Sequence, residues 1–335
     1  MGEGNLGSGK AILVHNPTAG VREPDPKTLI KQIERIGFDV KCYSTKKPGL
    51  EAKLAKRADL VVAAGGDGTI AKVAKFLAAR EEEPPPLAII PLGTANNIAQ
   101  SLGVRGDPDE IISRWSLERT CSLSCGRAKA HWGEQLFIEA VGMGPLARAT
   151  SVKLKGKKTR AERIDEGRLA FRKALREAEP ERLYVNIDGE RIEEEILLLE
   201  VLNIRQVGPR LNLAPAADVG DDLLDVVYVP TGRRKKMIAW LDQLIADGGD
   251  AAVLPKPPVR SVRGRNVVIA WTGMELRIDD AFPLMPGQTA PRSPDKEPGA
   301  GNDRADLLDL QIAGRKLKVL APGKPRRPSA RKDRS

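Results

Sequence analysis

Leu60-Val-Val-Ala-Ala64 is an apolar run of strand length that ends abruptly in Gly65-Gly66-Asp67-Gly68-Thr69. A helical pattern follows at once, with Ile70, Val73 and Leu77 spaced for one face. The order is strand, glycine-rich loop, helix N-terminus. Glycines let backbone N–H groups approach a phosphate with no Cβ in the way. The free N–H groups and the dipole of the next helix favour the same negative charge. Asp67 is an acid inside a loop suited to anions, which fits a metal ion between the two charges or a proton-handling role. Taken in isolation, a plain strand-to-helix turn would also explain the glycines.

A second stretch repeats the plan. Leu87-Ala-Ile-Ile90 reads as a buried strand, and Pro91-Leu-Gly-Thr-Ala-Asn-Asn97 is a turn feeding a helix. Gly93, Thr94, Asn96 and Asn97 offer hydrogen bonds at that strand's end. Two such loops on one parallel sheet face a common crevice, where open α/β sheets bind ligands. Upstream, Ala11–Val14 reads as a strand ending in Asn16-Pro17, and Phe38–Tyr43 as a second with Thr45 just past its end. Asp25-Pro26 opens a helix with a cap and a first-turn proline. A further helix is expected near Leu50–Arg57, and Asp107-Pro-Asp-Glu110 reads as a capping box. This alternation predicts a parallel sheet with helices on both faces. Gly4-Asn-Leu-Gly-Ser-Gly-Lys10 imitates a P-loop, but it precedes a strand, and Ala11 stands where a magnesium-binding Ser or Thr belongs.

The texture changes near Cys121. Strand-like pieces follow one another at Cys121–Ala130, Gln135–Val141, Tyr184–Ile187, Ile196–Asn203, Asp225–Val229 and Val267–Ala270. Asp188-Gly189 is a hairpin signal. This predicts an antiparallel sandwich, interrupted by a basic helix-prone stretch at Arg148–Arg176 and a helix around Met237–Ile245. Two last strand candidates are Leu308–Ile312 and Leu317–Leu320. Residues 287–304 read as a loop, and 322–335 as a basic tail expected to be disordered.

Asn16-Pro-Thr-Ala-Gly20, Gly65-Gly-Asp-Gly-Thr69 and Pro91-Leu-Gly-Thr-Ala-Asn-Asn97 resemble, in order and spacing, the motifs of the diacylglycerol kinase catalytic-domain family, which holds bacterial lipid kinases and sphingosine kinases. The resemblance runs from about Ala11 to Pro322. It implies a phosphofructokinase-like parallel α/β nucleotide-binding domain over 1–121 and a β-sandwich over 122–304, with strands at about 305–321 returning to the first domain. It also implies ATP and magnesium in the cleft and transfer of the γ-phosphoryl group to a lipid hydroxyl of diacylglycerol type. Asn16, Thr45, Gly65, Gly66, Asp67, Gly68, Thr69, Gly93, Thr94 and Asn96 would then touch the nucleotide. Asp221 aligns with a metal-binding aspartate of the family, with Asp218 and the Leu223 carbonyl beside it.

Asp279-Asp280-Ala281 lies where related bacterial enzymes carry Asp-Gly-Glu, so the general base is Asp279 or Asp280, with Asp67 next in line. The resemblance favours Asp279. Alternation along an extended segment favours Asp280, on the side of Ile278. The chain departs from the family at Lys72, Asn97 and Ser124, where carboxylates are expected. Phosphoryl transfer by itself demands positioning, charge neutralisation and a carboxylate to take the alcohol proton. As a loop residue, Asp67 is expected to support little core, so Asp67→Asn should spare the fold. Gly66→Ala should crowd the phosphates or force a disallowed φ.

The 335 residues suffice for two domains with real cores, and 41% are hydrophobic. Three cysteines and two histidines argue against a disulfide scaffold or a zinc site. Cys121 and Cys125 read as small packing residues. No apolar run reaches membrane-spanning length and no signal peptide is visible, which points to a cytoplasmic protein, peripheral at the inner membrane surface. A net charge of +10 suits nucleic acid, an anionic membrane or a phosphorylated ligand. Nucleic acid is disfavoured because only 4% of residues are aromatic. The basic stretch from Lys153 and the tail are candidates for docking on anionic lipid heads. A homo-oligomer is compatible with the sequence. Two alternatives stand beside the lipid kinase: an NAD kinase-like enzyme, which shares Gly-Gly-Asp-Gly, and a nucleotide-binding regulatory protein weakened by the missing carboxylates.

Overall fold

Four parallel strands form the first layer: β1 (Gly9–His15), β2 (Phe38–Ser44), β3 (Leu60–Gly65) and β4 (Leu87–Pro91), in the order β2-β1-β3-β4. The structure is a computed structural model that describes residues 8–18, 24–151, 156, 158–248, 255–270, 274–282 and 307–320. The predicted loop 287–304, the basic tail 322–335, Ala19-Gly20 of the first motif and much of the basic stretch at 152–157 lie outside the described residues. Every residue of β3 is buried, which is why it reads as an unbroken apolar run. β2 and β3 flank β1 on opposite sides, so the sheet has its switch point at β1 and β3.

Helices α1 (Pro26–Glu34), α2 (Leu50–Leu54), α3 (Asp67–Ala78), α4 (Asn97–Ser101) and α5 (Pro108–Ser113) connect and cover these strands. Asp25 caps α1 through the Lys27 N–H at 3.0 Å, with Pro26 in the first turn. The capping box expected at Asp107 does not form. Asp107 makes no side-chain cap, and Asp109 accepts a bond from Gln32 Nε2 at 2.6 Å instead.

The second half is antiparallel. It contains β5 (Thr120–Ala130), β6 (Gly133–Phe137), β7 (Ala140–Met143), β8 (Glu181–Ile187), β9 (Glu190–Leu202), β10 (Leu224–Pro230), β11 (Arg260–Gly264), β12 (Asn266–Ala270) and β13 (Leu276–Ile278). Asp188 (φ 49°) and Gly189 (φ 97°) turn the β8–β9 hairpin, both left-handed as a tight hairpin turn requires. The single strand expected over 135–141 breaks at Ile138-Glu139. The helix expected over 148–176 is two helices, α6 (Pro145–Ser151) and α7 (Arg160–Glu177). A capping box between Thr159 and Glu162 starts α7. With α8 (Arg234–Ala246), these helices bury Phe171, Met237 and Leu241 against β9 and β10.

The last two expected strands are one, β14 (Leu307–Leu320). It pairs antiparallel with β5 along its length and with β12 in its first half. Near its end, Val319 pairs in parallel with Leu87 of β4. Leu308 and Leu310 lie in the sandwich core, whereas Leu317, Val319 and Leu320 lie in the α/β core. β14 therefore ties the two layers into one continuous sheet. Between the pairs Ala313–Cys125 and Leu317–Leu123, β14 advances four residues against two on β5, a bulge that turns Arg315 and Lys316 outward.

Candidate active site

Asn16, Thr45, Gly66 and Gly93 follow the C-terminal ends of β1, β2, β3 and β4, so the parallel sheet brings them to one rim. They line a cleft of about 400 Å³ together with Gly68, Thr69 and Thr94. The other predicted nucleotide residues, Gly65, Asp67 and Asn96, do not line it. Gly65 is buried at the end of β3. Asn96 (φ 54°) is buried and clamps its own loop, accepting from the Gly93 N–H at 2.8 Å and donating to the Gly93 carbonyl at 3.0 Å. The two glycine loops touch through backbone: a Cβ on Gly93 would lie 2.4 Å from Gly66 Cα. Gly66 itself has φ −87°, open to any residue, so its requirement is this close approach and not a disallowed φ.

Asp67 opens α3 and spends its carboxylate on the second loop, accepting the Ile98 N–H at 2.9 Å. Burial pushes its carboxyl up, and the N–H groups of Ile98, Asn97 and Asn96 oppose that shift. Asp67 thus fastens α3 to the start of α4. The expectation that it supports little structure is corrected by this bond.

Two cations that the sequence reading did not assign, Lys72 on α3 and Arg163 on α7, also line the cleft. Lys72 pairs with Glu51 at 3.3 Å. Arg163 Nε is buried and has no hydrogen-bond partner among the described residues.

A second cavity of about 190 Å³ adjoins the first and shares Gly68 and Asp280 with it. Asp280 is exposed, and its carboxylate stands over Gly68, where a Cβ would meet Oδ2 at 2.6 Å. Its neighbour is placed quite differently. Asp279 is 3% exposed, with φ 51°. Its carboxylate accepts the N–H groups of Ile138 at 3.1 Å and Glu139 at 2.8 Å, and the Lys75 ammonium at 3.0 Å. Strand alternation does not hold here, because β13 stops at Ile278, and Arg277, Ile278 and Asp279 are all buried.

Glu139 also lines the second cavity and was not singled out from the sequence. Its Oε1 accepts from Asn97 Nδ2 at 3.0 Å and from the Gly208 N–H at 3.3 Å. Burial, and then the charge of Asp67, push its carboxyl up to about 8. The available signal was one carboxylate inside the apolar run Leu136-Phe-Ile-Glu-Ala-Val141. Behind it, Arg277 pairs with Glu200 at 3.0 Å, and burial raises the Glu200 carboxyl to about 7 against that guanidinium's pull. Asp218, Asp221 and Leu223 lie on the turn before β10 and line neither cavity.

Two glycine loops sharing a cleft, with an acid-lined cavity opening beside it, define the site of a phosphotransferase. Residues 10–128 match the family model described as the diacylglycerol kinase catalytic domain. Residues 149–287 match the YegS C-terminal NAD kinase beta sandwich-like domain. The diacylglycerol kinase of Bacillus subtilis (strain 168) is 31% identical over 236 residues, covering 66% of this chain and 73% of that protein. The probable lipid kinase YegS-like of Stenotrophomonas maltophilia (strain K279a) is 32% identical over 203 residues, 58% of this chain and 63% of that one. Among solved structures, a diacylglycerol kinase from Bacillus anthracis str. Sterne superposes with a TM-score of 0.65 at 20% identity, covering 95% of this chain and 98% of that one. The chain belongs to the diacylglycerol kinase catalytic-domain family and is a kinase-type phosphotransferase with that family's two-domain fold.

Proposed function

We propose that this protein transfers the γ-phosphoryl group of ATP, bound as its magnesium complex, to the hydroxyl of a lipid of diacylglycerol type. The observation that carries the reading is Asp280, an exposed carboxylate standing over Gly68 at the seam of the two cavities. The larger cleft takes the nucleotide. Its triphosphate lies against the backbone of Gly66–Thr69 and Gly93-Thr94, and Lys72 and Arg163 neutralise its charge. The smaller cavity takes the alcohol end of the acceptor. The acceptor oxygen attacks the γ-phosphorus, the bond to the ADP oxygen breaks, and the hydroxyl proton passes to Asp280. Asp279 is unsuited to that step, because its oxygens already hold four donors, the Lys75 ammonium and the N–H groups of Ile138, Glu139 and Ala140. The relatives named diacylglycerol kinase and lipid kinase support a lipid acceptor. The net charge of +10 suits work at an anionic membrane surface. Among the described residues no helix is long and apolar enough to cross a membrane.

Labelled ATP should give phosphorylated product with dioctanoylglycerol in mixed micelles or with a total lipid extract, and none with NAD. Label on NAD alone would establish the NAD kinase-like alternative. ATP binding without turnover on any acceptor would establish a regulatory protein.

A further inference from the structure

The acidic turn that the family resemblance marks for a metal ion is already provided with a cation. We propose that the Lys316 ammonium serves this turn in place of a divalent ion, so that the fold needs no metal there. Lys316 Nζ lies 2.7 Å from Asp222 Oδ2 and donates to the Gly220 carbonyl at 2.9 Å. Lys316 sits in the β14 bulge, between the pairs Ala313–Cys125 and Leu317–Leu123.

Three further carboxylate oxygens of the turn accept hydrogen bonds. Asp222 Oδ1 accepts the Ser124 hydroxyl at 3.1 Å. Asp221 Oδ1 accepts the Leu223 N–H at 3.0 Å, and its other oxygen faces Arg263 at 3.8 Å. Asp218 Oδ1 accepts the Gly220 N–H at 3.1 Å. Arg263 also holds Asp225 at 3.2 Å.

Magnesium demands close, near-octahedral oxygen coordination, which these side chains do not offer. Among the described residues, no three His, Cys, Asp or Glu side chains converge to hold a metal. Ser124 removes one negative charge from the turn, and Lys316 brings a positive one. An ammonium held by two oxygens satisfies the turn without the dehydration a small dication requires. Lys316 also joins the lead into β10 to β14, while its neighbours Arg315 and Lys318 bond the 81–83 segment of the first domain. A divalent ion is then needed only as the partner of ATP. Lys316 lines neither cavity, so its role at the turn is the same whichever hydroxyl is phosphorylated.

The test is calorimetric titration of MgCl2 into the nucleotide-free full chain, with melts in MgCl2 and in EDTA beside it. The wild type should show no saturable heat and the same Tm in both. Lys316→Arg, which keeps the charge, should behave identically. Lys316→Met combined with Ser124→Asp removes the ammonium and restores a carboxylate, and should acquire saturable magnesium heat and a magnesium-dependent rise in Tm. If that double variant does not fold, Lys316→Met alone should acquire the heat. Saturable magnesium binding to the wild type that Asp221→Asn abolishes would overturn the proposal, as would the absence of any magnesium response in the folded Lys316→Met proteins.

Discussion

The carboxylate of Asp279 accepts the backbone N–H of Glu139 at 2.8 Å, across the gap between β6 and β7. One bond therefore breaks a strand, uses up one candidate base and turns a second carboxylate into the cavity. Lys75 on α3 reaches the same carboxylate at 3.0 Å, so Asp279 also fastens the first domain to the second.

Asp279→Asn and Asp280→Asn should consequently fail in different ways. An amide at 279 faces N–H donors with a donor of its own and leaves Lys75 without its anion, which costs about 1–3 kcal/mol of stability. Asp280 is exposed and supports no packing. Its amide should melt like the wild type and lose about a hundredfold or more in kcat, with ATP affinity kept. Thermal melts and steady-state rates on the two variants check this. A slow Asp279→Asn with unchanged Tm, beside a fully active Asp280→Asn, would reverse the assignment.

Glu139 gives a pH-dependent expectation. Its folded pKa of about 8 lies above the ordinary 4.5 because burial disfavours the anion. Between those values the folded protein holds a proton that the unfolded chain has released. The stability from this carboxyl is thus fully present below the unfolded pKa and lost as pH rises through the folded one. Glu139→Gln removes that loss while keeping an oxygen for Asn97. Glu200, with its pKa near 7, remains in both proteins and contributes the same slope to each. The Tm of Glu139→Gln relative to wild type should rise steadily between about pH 5 and 8. A constant difference across that range would show that Glu139 carries its charge throughout.

The α/β half was legible because its signals are local. β3 is apolar at every position, the glycine loops follow their strands directly, and Asp25-Pro26 caps its helix as the residue types demand. The 188–189 hairpin was legible for the same reason. What escaped depends on contacts between distant segments. Nothing near Ile138 announces that its N–H will bond to a side chain 141 residues away. The bulge that fuses two strand candidates into β14 comes from pairing with β5, whereas between α6 and α7 the sequence does carry a local break signal, Gly156 (φ 96°) and the capping Thr159. In the site, residue types pointed to the loops, but only the fold shows that Asp67 and Asn96 shape them from behind.

The two glycine loops touch through bare Cα atoms, which ranks two substitutions. A Cβ on Gly93 would lie 2.4 Å from Gly66 Cα and 2.8 Å from Asn96 Oδ1, so backbone has to move. A Cβ on Gly66 would lie 3.0 Å from Gly93 Cα. Gly93→Ala should weaken ATP by well over tenfold, more than about 1.4 kcal/mol, and Gly66→Ala by less. Calorimetric titration of ATP into both variants decides the order. Equal, unaltered affinities would remove the cleft from nucleotide binding.

Asp67→Asn should lose stability and rate together. Its carboxylate accepts the Ile98 N–H, with the Asn96 and Asn97 N–H groups close by. An amide offers one oxygen and turns its NH2 toward those donors. The expected cost is about 1–3 kcal/mol, read as a lower Tm, with kcat falling because α4 carries the second loop out of register. A normal Tm with abolished rate would instead assign Asp67 to the chemistry alone.

The last expectation concerns charge in the cleft. Lys72 stands where a carboxylate was expected, and Arg163 crosses from the second domain with its Nε lacking a partner among the described residues. A guanidinium in that state is suited to a phosphate oxygen, and a nearby ammonium adds to the same field. Both line the cleft together with Gly68 and Asp280, where the transferred group has to be. Arg163→Ala and Lys72→Ala should each weaken ATP by about tenfold, near 1.4 kcal/mol, and AMP far less, because AMP lacks the terminal phosphates. The loss should shrink at high salt for the exposed Lys72 more than for the half-buried Arg163. Calorimetry with both nucleotides at two salt concentrations measures all of this. An equal loss for AMP and ATP would move the cations to the nucleoside end and leave the seam at Asp280 without its counter-charge.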